Sequence, residues 1–399
     1  MSAQSTPTAH KIVIVGGGFG GVRAALRLAG QPDVAVTLIS ANPGFSYYPQ
    51  LYHAATGGVR SEASIPLADL FAGQPVELVQ DTITVLDAEN QLVVGASGTN
   101  YHYDELILAL GSVTNYFGIE GLKEFSYNIK SIEGAERFKR HLHDQLAKDS
   151  HPELHYVVVG GGPTGVELAA ALGDYLEQII KQHHINAPKY QIDLVEAAPR
   201  LLPHSPEGYA ARVQRRLEQS GVHVMTGATV EAETPAELRL KGKSIATKTV
   251  IWTAGVSNNP FFRNNVDHFT LAKNGRVEVN EYLEAAPHIR VIGDGANTQY
   301  TGMAQTAIYD ANYVAADILR QLRGGARSKY KPKAPVSVIP VGKRWAAVQW
   351  GRLELYGFIG WILRRLADLI AYSDIESWPK AVRVWLQDAR REDDCAVCN

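Results

Sequence analysis

Short runs of apolar residues alternate with longer amphipathic stretches along most of the chain. The run KIVIV (11–15) is followed by a helical pattern and then by VAVTLIS (34–40). In the same way, HYVVVG (155–160) leads through a second helical pattern to YQIDLVEA (190–197). Buried strands separated by helical segments are typical of parallel sheets with crossover helices. The pattern therefore predicts an α/β fold built on parallel sheet.

A glycine-rich turn directly follows the first strand of each of these two units. The spacing G-x-G-x-x-G occurs twice, at Gly16, Gly18 and Gly21 and at Gly160, Gly162 and Gly165. The first glycine of such a turn bends the chain, the second lets backbone N–H groups approach a pyrophosphate, and the third lets helix and strand pack closely. The N-terminus of the following helix then attracts the phosphates. One such motif is weak evidence, but two copies between a strand and a helix predict two dinucleotide sites.

The residue that ends the second strand of each unit usually contacts the adenosine ribose. In the second unit this residue is Glu196, whose carboxylate would accept hydrogen bonds from both ribose hydroxyls and repel a 2′-phosphate. The second unit is therefore predicted to bind NADH rather than NADPH, unless Glu196 is simply a solvated strand end. The matching residue of the first unit is Ser40, which carries no charge. FAD is predicted there, because the second unit already accounts for the nicotinamide nucleotide.

The order of the elements predicts two Rossmann-like domains, one inserted into the other. The predicted FAD-binding domain is discontinuous and comprises residues 10–120 and 265–325, and the predicted NADH-binding domain comprises residues 150–260. A stretch rich in glycine, proline and basic residues (323–335) resembles a linker. It leads to a C-terminal region, residues 336–399, of different composition.

The overall composition excludes several classes of protein. The chain has 399 residues, and its net charge of −2 provides no basic surplus with which to bind nucleic acid. No uninterrupted apolar run approaches the ~20 residues needed to span a bilayer. The two cysteines, Cys395 and Cys398, are close to the end of the chain, which fits a reducing compartment. They are either incidental or a metal or redox dithiol, and no metal site is predicted because no other Cys or His cluster completes one.

The C-terminal region contains five of the six tryptophans, a residue that favours the boundary between lipid and water. A helical stripe in residues 359–372 consists of Ile359, Ile362, Leu363, Leu366, Leu369 and Ile370. Arg364, Arg365 and Asp368 lie opposite this stripe. A second amphipathic helix is predicted after Ser377, with positive charge from Lys380, Arg383, Arg390 and Arg391. The two helices are predicted to lie in one leaflet of a membrane with anionic lipid, although they could instead pack on the globular body or across a dimer.

Taken together, these motifs resemble the flavoproteins with two dinucleotide-binding domains, and within them the type II NADH dehydrogenases (NADH:quinone oxidoreductases). The resemblance extends from His10 to about Asp393. It is carried by VIVGGGFGGVRAAL (13–26), YYPQLYHAATGG (47–58), YDELILALGSVTNYFGIEG (103–121), VVVGGGPTGVELA (157–169), VEAAPRLLP (195–203), WTAGV (252–256), VIGDGA (291–296) and MAQTAIYDA (303–311).

This resemblance implies a set of residues for each cofactor. The residues implied for FAD are Gly16, Gly18, Phe19, Gly20, Gly21, Ser40, Ala109, Gly111, Gly293, Asp294, Ala304, Gln305 and Thr306. The residues implied for NADH are Gly160, Gly162, Pro163, Thr164, Gly165, Glu196, Ala254 and Gly255. Asp294 is expected to accept hydrogen bonds from the ribitol hydroxyls, which would fix the position of the flavin ring.

The resemblance also implies three residues near the chemistry. Gln305 and Tyr309 are expected on the quinone side, where the family pattern A-Q-x-A-x-Q is common. This chain departs from the pattern, since Tyr309 replaces the second glutamine and puts the identity of the acceptor in doubt. Glu167 matches a family glutamate near the nicotinamide and the flavin. If it is partly buried, it would pass protons toward a quinone; otherwise it only stabilises the helix N-terminus.

The expected activity is NADH:quinone oxidoreduction without proton pumping, by an enzyme bound peripherally to the cytoplasmic face of a bacterial membrane. The acceptor would be menaquinone or ubiquinone, and a homodimer is possible. The disulfide-reducing and sulfide-oxidising relatives are excluded, because they need cysteines beside the flavin. A soluble ferredoxin- or rubredoxin-type reductase, a non-respiratory NADH-sensing flavoprotein and a flavoprotein acting on carbon substrates remain alternatives.

Overall fold

A computed structural model of the chain describes residues 9–148, 153–185 and 189–391. Its largest sheet has six strands that come from two distant parts of the chain. Their spatial order is Glu284–Ala286, Ile289–Val291, Glu105–Leu108, His10–Val15, Val34–Ser40 and Val76–Gln80. The strand Ile289–Val291 pairs in parallel with Glu105–Leu108, so the chain returns to this sheet after a long excursion.

The excursion forms a second sheet of four parallel strands, ordered Val222–Thr226, Gln191–Glu196, His155–Val159 and Thr249–Trp252. Helices Ile132–Lys148, Pro163–Gln182 and Glu207–Gln219 share a hydrophobic cluster with one face of this sheet. A hairpin sheet of Val230–Glu233, Glu237–Leu240 and Lys243–Ala246 covers the other face. The three strands other than Val222–Thr226 are buried on both faces, which explains why they are nearly continuous runs of apolar residues.

The two sheets are joined where the chain enters and leaves the excursion. Strand Ser112–Thr114 pairs antiparallel with strand Val256–Asn258. The two crossing segments are therefore hydrogen-bonded to each other between the sheets. The distribution of strands between the two sheets agrees with one domain inserted into another. The residue limits of the two domains given above stay a prediction.

The six-stranded sheet is also covered on both faces. Helices Phe19–Leu28 and Ala304–Leu322 share one hydrophobic cluster with it, and a sheet of Ile83–Asp87, Leu92–Gly95 and Asn100–His102 shares another. The remaining strands are the pair Gly44–Ser46 and Ser64–Pro66. The remaining short helices are Tyr48–Gln50, Leu51–Ala55, Arg60–Ala63, Leu67–Leu70, Leu122–Phe125, Pro260–Asn264, Val266–His268 and Gly293–Gly295.

The C-terminal region begins with an antiparallel sheet of Ser337–Pro340, Ala346–Trp350 and Leu353–Gly357. Two helices follow, Phe358–Ser373 and Trp378–Arg391, and they are called the C-terminal helix pair below. Both helices fall where the sequence pattern predicts them. Cys395 and Cys398 lie outside the described residues.

The first helix of this pair turns its charged side inward and its apolar side outward. Its charged residues Arg364, Arg365 and Asp368 are buried. Arg364 lies over the ring of Tyr52 and Asp368 accepts from the Tyr47 hydroxyl. Arg365 donates to the carbonyl of Trp385 in the second helix. Its apolar stripe faces outward instead, with Ile359 61% exposed and Ile370 58% exposed. No helix in the described part of the chain is long and apolar enough to cross a bilayer. The outward apolar stripe is the orientation that the predicted contact with a membrane leaflet requires, while that contact itself stays a prediction.

Candidate active site

The first glycine turn links strand His10–Val15 to helix Phe19–Leu28. Gly16 has a φ of +119°, and a Cβ at this position would lie 2.2 Å from the carbonyl oxygen of Ala109. A Cβ at Gly21 would lie 1.8 Å from the carbonyl oxygen of Gly16. Both positions therefore require glycine. A Cβ at Gly18, the N-cap of the helix, would meet no atom within 4 Å, which leaves space for a pyrophosphate beside the helix N-terminus.

Four other residues expected around FAD lie beside this turn, and they differ in burial and in the atoms that they contact. Gly111 has a φ of +67° and open space on its Cβ side, so its backbone borders the cleft. Phe19 is buried and Gly20 packs against Ile292, which places both in the support of the turn. The buried Ser40 hydroxyl donates to the backbone carbonyl of Asn42 at 2.7 Å. Its contact with a ribose stays a prediction.

The loop after strand Ile289–Val291 brings a carboxylate to the same cleft. Asp294 Oδ2 accepts a hydrogen bond of 2.6 Å from the Ser112 hydroxyl. The preceding residue, Gly293, has a φ of +66°, and its N–H donates to Asp310 Oδ2 at 3.0 Å. Tyr330 donates to the other oxygen of the buried Asp310 at 2.5 Å. Burial raises the pKa of Asp310 to about 6, and its two hydrogen bonds fix the turn that carries Asp294.

Helix Ala304–Leu322 begins ten residues after Asp294 and contains the other residues expected near the flavin. Ala304, Gln305 and Thr306 form its first turn. Thr306 is buried, and its hydroxyl donates to the carbonyl of Tyr300 at 2.7 Å. This bond ties the first helical turn to the loop that follows Asp294.

Sequence reasoning missed three residues of this cleft. Ser112 bonds Asp294, and the Lys130 ammonium donates to the Ser112 hydroxyl at 3.1 Å. The same ammonium lies 4.8 Å from the ring centroid of Tyr48. Ser112 and Tyr48 lie inside two of the motifs that carry the resemblance, which offered a signal. Lys130 lies outside all of them, and only the tertiary structure brings it to the cleft.

The second glycine turn has the same geometry as the first. Gly160 has a φ of +117°, and its Cβ would collide with Thr253 and Ala254. A Cβ at Gly165 would lie 1.8 Å from the carbonyl oxygen of Gly160. The Cβ side of Gly162 is open, as at Gly18 in the first turn.

The other residues predicted for NADH surround this second turn. Pro163 and Thr164 are exposed in the first turn of the following helix. Ala254 lies against Gly160, and a Cβ at Gly255 would lie 2.4 Å from the ring of Phe117. The structure therefore brings Ala254 and the second turn together, at the carboxyl ends of adjacent parallel strands.

Glu196 is placed beside the second turn and is engaged with it. Its Oε2 accepts from the N–H of Gly161 at 2.5 Å, and its Oε1 accepts from the N–H of Ala198 at 2.7 Å. The side chain remains partly accessible. An ionised carboxylate accepts about four hydrogen bonds, so Glu196 can hold the turn and still accept from ribose hydroxyls.

Glu167 lies one turn into helix Pro163–Gln182, in an interior cleft that leaves only part of it accessible. Burial raises its pKa to about 8, with Arg364 lowering it and Asp368 raising it. Arg364 and Asp368 form an ion pair of 3.1 Å, and the Tyr47 hydroxyl donates to Asp368 at 3.0 Å. The charged face of the C-terminal helix pair therefore forms the electrostatic environment of Glu167.

Gln305 and Tyr309 are one turn apart on helix Ala304–Leu322, so they share a face. Gln305 Oε1 accepts from the backbone N–H of Val336 at 2.8 Å. The ammonium of Lys333 lies 5.3 Å from the Tyr309 ring centroid. Burial raises the pKa of Tyr309, and Asp374 adds to the increase. Both residues thus lie against the linker and the C-terminal region.

Two open glycine turns at the ends of adjoining parallel sheets define a protein that binds two dinucleotides. The chain belongs to the pyridine nucleotide-disulphide oxidoreductase family, whose model matches residues 10–311. Within that family it belongs to the type II NADH:quinone oxidoreductases. It is 32% identical to the enzyme of that name, Ndh, from Mycobacterium tuberculosis over 93% of this chain and 88% of that protein.

Other similar proteins support the same assignment. The demethylphylloquinone reductase NdbB of Synechocystis is 29% identical over 92% of this chain and 93% of that protein. Among solved structures, Plasmodium falciparum NDH2 in complex with NADH gives a TM-score of 0.84 at 19% identity, covering 96% of this chain and 98% of that chain. At this identity the structural likeness shows the fold alone. The predicted α/β fold with Rossmann-like nucleotide-binding units and the predicted family are confirmed, while the membrane-associating role of the C-terminal region stays a prediction.

Proposed function

We propose that this chain transfers a hydride from NADH to FAD and then passes two electrons to a membrane quinone. Two features carry the proposal together. Gly18 and Gly162 leave open space at two helix N-termini, as two dinucleotides require. Arg364 and Asp368, on a helix whose apolar side faces outward, lie near Glu167.

The residues of the chain supply binding and orientation. Glu196 selects NADH through the ribose, while the second glycine turn binds the pyrophosphate. Asp294 would accept hydrogen bonds from the FAD ribitol. Its position is fixed by the Ser112 hydroxyl and by the hydrogen bond from the Gly293 N–H to Asp310. When bound, FAD supplies the chemistry that no side chain here provides, since it accepts a hydride and returns two electrons.

Reduction of a quinone to a quinol consumes two electrons and two protons. NADH supplies two electrons and one proton as hydride, so one further proton must come from the solvent through the protein. Glu167 is suited to pass that proton because its pKa of about 8 keeps it mostly protonated at neutral pH. Gln305 and Tyr309 offer an amide and a hydroxyl for the quinone carbonyls at the C-terminal side of the cleft.

The C-terminal helix pair would bring this side of the cleft to the lipid. Its outward apolar residues are Phe358, Ile359, Ile362, Leu366, Ile370, Trp378, Val382 and Leu386. Lys380 and Arg383 are exposed beside them and would attract anionic headgroups. We infer peripheral attachment at the cytoplasmic face of a bacterial membrane, where both NADH and a dissolved quinone are accessible.

A flavin spectrum of the purified protein tests the two half-reactions. Anaerobic addition of NADH should bleach the flavin absorbance, and a menaquinone or ubiquinone analogue should restore it. Slow restoration by quinone with fast restoration by a ferredoxin or rubredoxin would instead support the soluble reductase. Slow restoration by every acceptor, with an NADH-dependent change in oligomeric state, would support an NADH sensor.

Sedimentation with liposomes tests the membrane contact. The double variant I362E/L366E should lose most binding to vesicles that contain anionic lipid, since it places two charges on the outward stripe. The matched control is V85E/V266E, because Val85 and Val266 are similarly exposed elsewhere on the surface. Equal binding by both variants would contradict the proposal. Light scattering of the same samples would test the possible homodimer.

A further inference from the structure

Lys130 occupies a position that the proposed reaction does not yet use. It lies in the connection between helices Leu122–Phe125 and Ile132–Lys148, and its ammonium reaches the cleft beside Asp294. The ammonium donates to the Ser112 hydroxyl at 3.1 Å, and that hydroxyl donates to Asp294 Oδ2 at 2.6 Å. Tyr48 places its ring 4.8 Å from the ammonium on another side. A cation is therefore tethered two hydrogen bonds from the carboxylate assigned to the FAD ribitol.

This arrangement is not the usual way to stabilise a lysine in a folded protein. Within the described residues, no carboxylate lies within 4 Å of its ammonium, and its contacts are a hydroxyl and an aromatic ring. Burial lowers the pKa of Lys130, while Asp294 favours the charged form from a longer distance. A partly buried cation without a direct anionic partner is unfavourable, so an anionic ligand in the same cleft would compensate for it.

We propose that Lys130 is a cation of the flavin pocket that favours reduced FAD over oxidised FAD. The proposal rests on the proposed function, because it needs FAD beside Asp294. Transfer of a hydride moves two electrons and one proton from NADH to FAD and leaves NAD⁺. The FAD site would therefore hold one additional negative charge until a second proton arrived. The Lys130 ammonium attracts this charge and so raises the reduction potential of the bound cofactor.

The test compares neutral and charged replacements of Lys130 in the flavin-loaded protein. Spectroelectrochemical titration gives the midpoint potential, and fluorescence titration gives the Kd for oxidised FAD. Lys130→Met and Lys130→Gln should each lower the preference for reduced FAD about tenfold, which corresponds to a potential about 30 mV lower for a two-electron couple. Lys130→Arg should stay close to the wild type, because it retains the charge.

Two further variants separate this role from general effects. Lys123→Met is the matched control, since Lys123 is an exposed lysine seven residues earlier in the chain; its potential should not change. Ser112→Ala removes the acceptor but keeps the ammonium, so it should lower the potential less than the neutral variants. This variant also tests the tether if neither neutral variant folds, because an unchanged potential would then overturn the proposal.

The outcomes distinguish this inference from the proposed function. A neutral variant of Lys130 with the wild-type potential would overturn the role of Lys130 and leave the NADH:quinone activity standing. A folded wild-type protein that takes up no FAD would overturn the proposed function itself. An equal loss of potential in Lys123→Met would show a long-range charge effect and would also overturn the role of Lys130.

Discussion

Replacing Glu167 by glutamine should change how the stability of this protein depends on pH. The carboxyl group is removed from water in the cleft, which raises its pKa from 4.5 to about 8 despite the nearby Arg364. The folded state therefore retains a proton that the unfolded chain releases between these two pH values. Because the folded pKa is the higher one, its stabilising effect is fully present below about pH 4.5 and is lost as the pH rises through about 8. The side-chain amide of the E167Q variant stays neutral and has no such dependence.

The size of the effect follows from the same two values. Each pH unit over which only the folded state holds the proton contributes about 1.4 kcal/mol. The wild type should therefore lose about 3 kcal/mol relative to E167Q between pH 4.5 and pH 7, and about 4 kcal/mol between pH 4.5 and pH 8 or above. Other groups with raised pKa values, such as Glu233 and Asp310, are present in both proteins. The difference between the two proteins isolates Glu167.

Urea unfolding of the flavin-loaded proteins between pH 5 and pH 9 measures this difference. The control is E177Q, because Glu177 is exposed on the same helix and its replacement should leave the pH dependence unchanged. The rate of quinone reduction should also fall about 100-fold in E167Q if Glu167 donates the proton, and the wild-type rate should decline above about pH 8. Parallel stability curves for the wild type and E167Q would refute the reasoning on burial. An unchanged rate would refute the role in proton transfer.

Three other changes test separate parts of the site. E196A should lower kcat/KM for NADH about 10- to 100-fold, as expected for loss of hydrogen bonds to a charged group. The value of kcat/KM for NADPH should fall less, so steady-state kinetics should show a smaller preference for NADH over NADPH. D310A removes the acceptor of the Gly293 N–H, so the Kd for FAD should increase about tenfold or more, equivalent to at least ~1.4 kcal/mol. The fluorescence of released FAD measures this Kd, and an unchanged value would argue against a link between this turn and FAD. Q305A leaves the Val336 N–H without its acceptor beside the proposed quinone site. The KM for the quinone should therefore rise several-fold while the KM for NADH stays constant, and equal changes in both KM values would contradict a local role.

The nucleotide-binding units were predictable because their signals are local. The run at 11–15 and the strand His10–Val15 differ by one residue, and the run VAVTLIS (34–40) coincides with the strand Val34–Ser40. A side chain at Gly16 or Gly21 would collide with a carbonyl oxygen, so both positions require glycine. This requirement is visible in the sequence as a fixed spacing between glycines. Lys130 carries no such signal, because its partners Ser112 and Tyr48 come from other parts of the chain.

The contacts that fix the orientation of helix Phe358–Ser373 could not be predicted from the sequence, for the same physical reason. A helical stripe predicts two faces, but the contacts of the inward face include Tyr47, which is 321 residues away from its partner Asp368. This orientation has two consequences that cannot be separated. Turning the helix by half a turn about its axis would bury Ile362 and Leu366, yet it would also remove Arg364 and Asp368 from the surroundings of Glu167. The position that brings the Arg364–Asp368 ion pair near Glu167 is therefore also the one that turns the apolar stripe outward, so the proposed proton supply and the proposed lipid contact depend on one helix position.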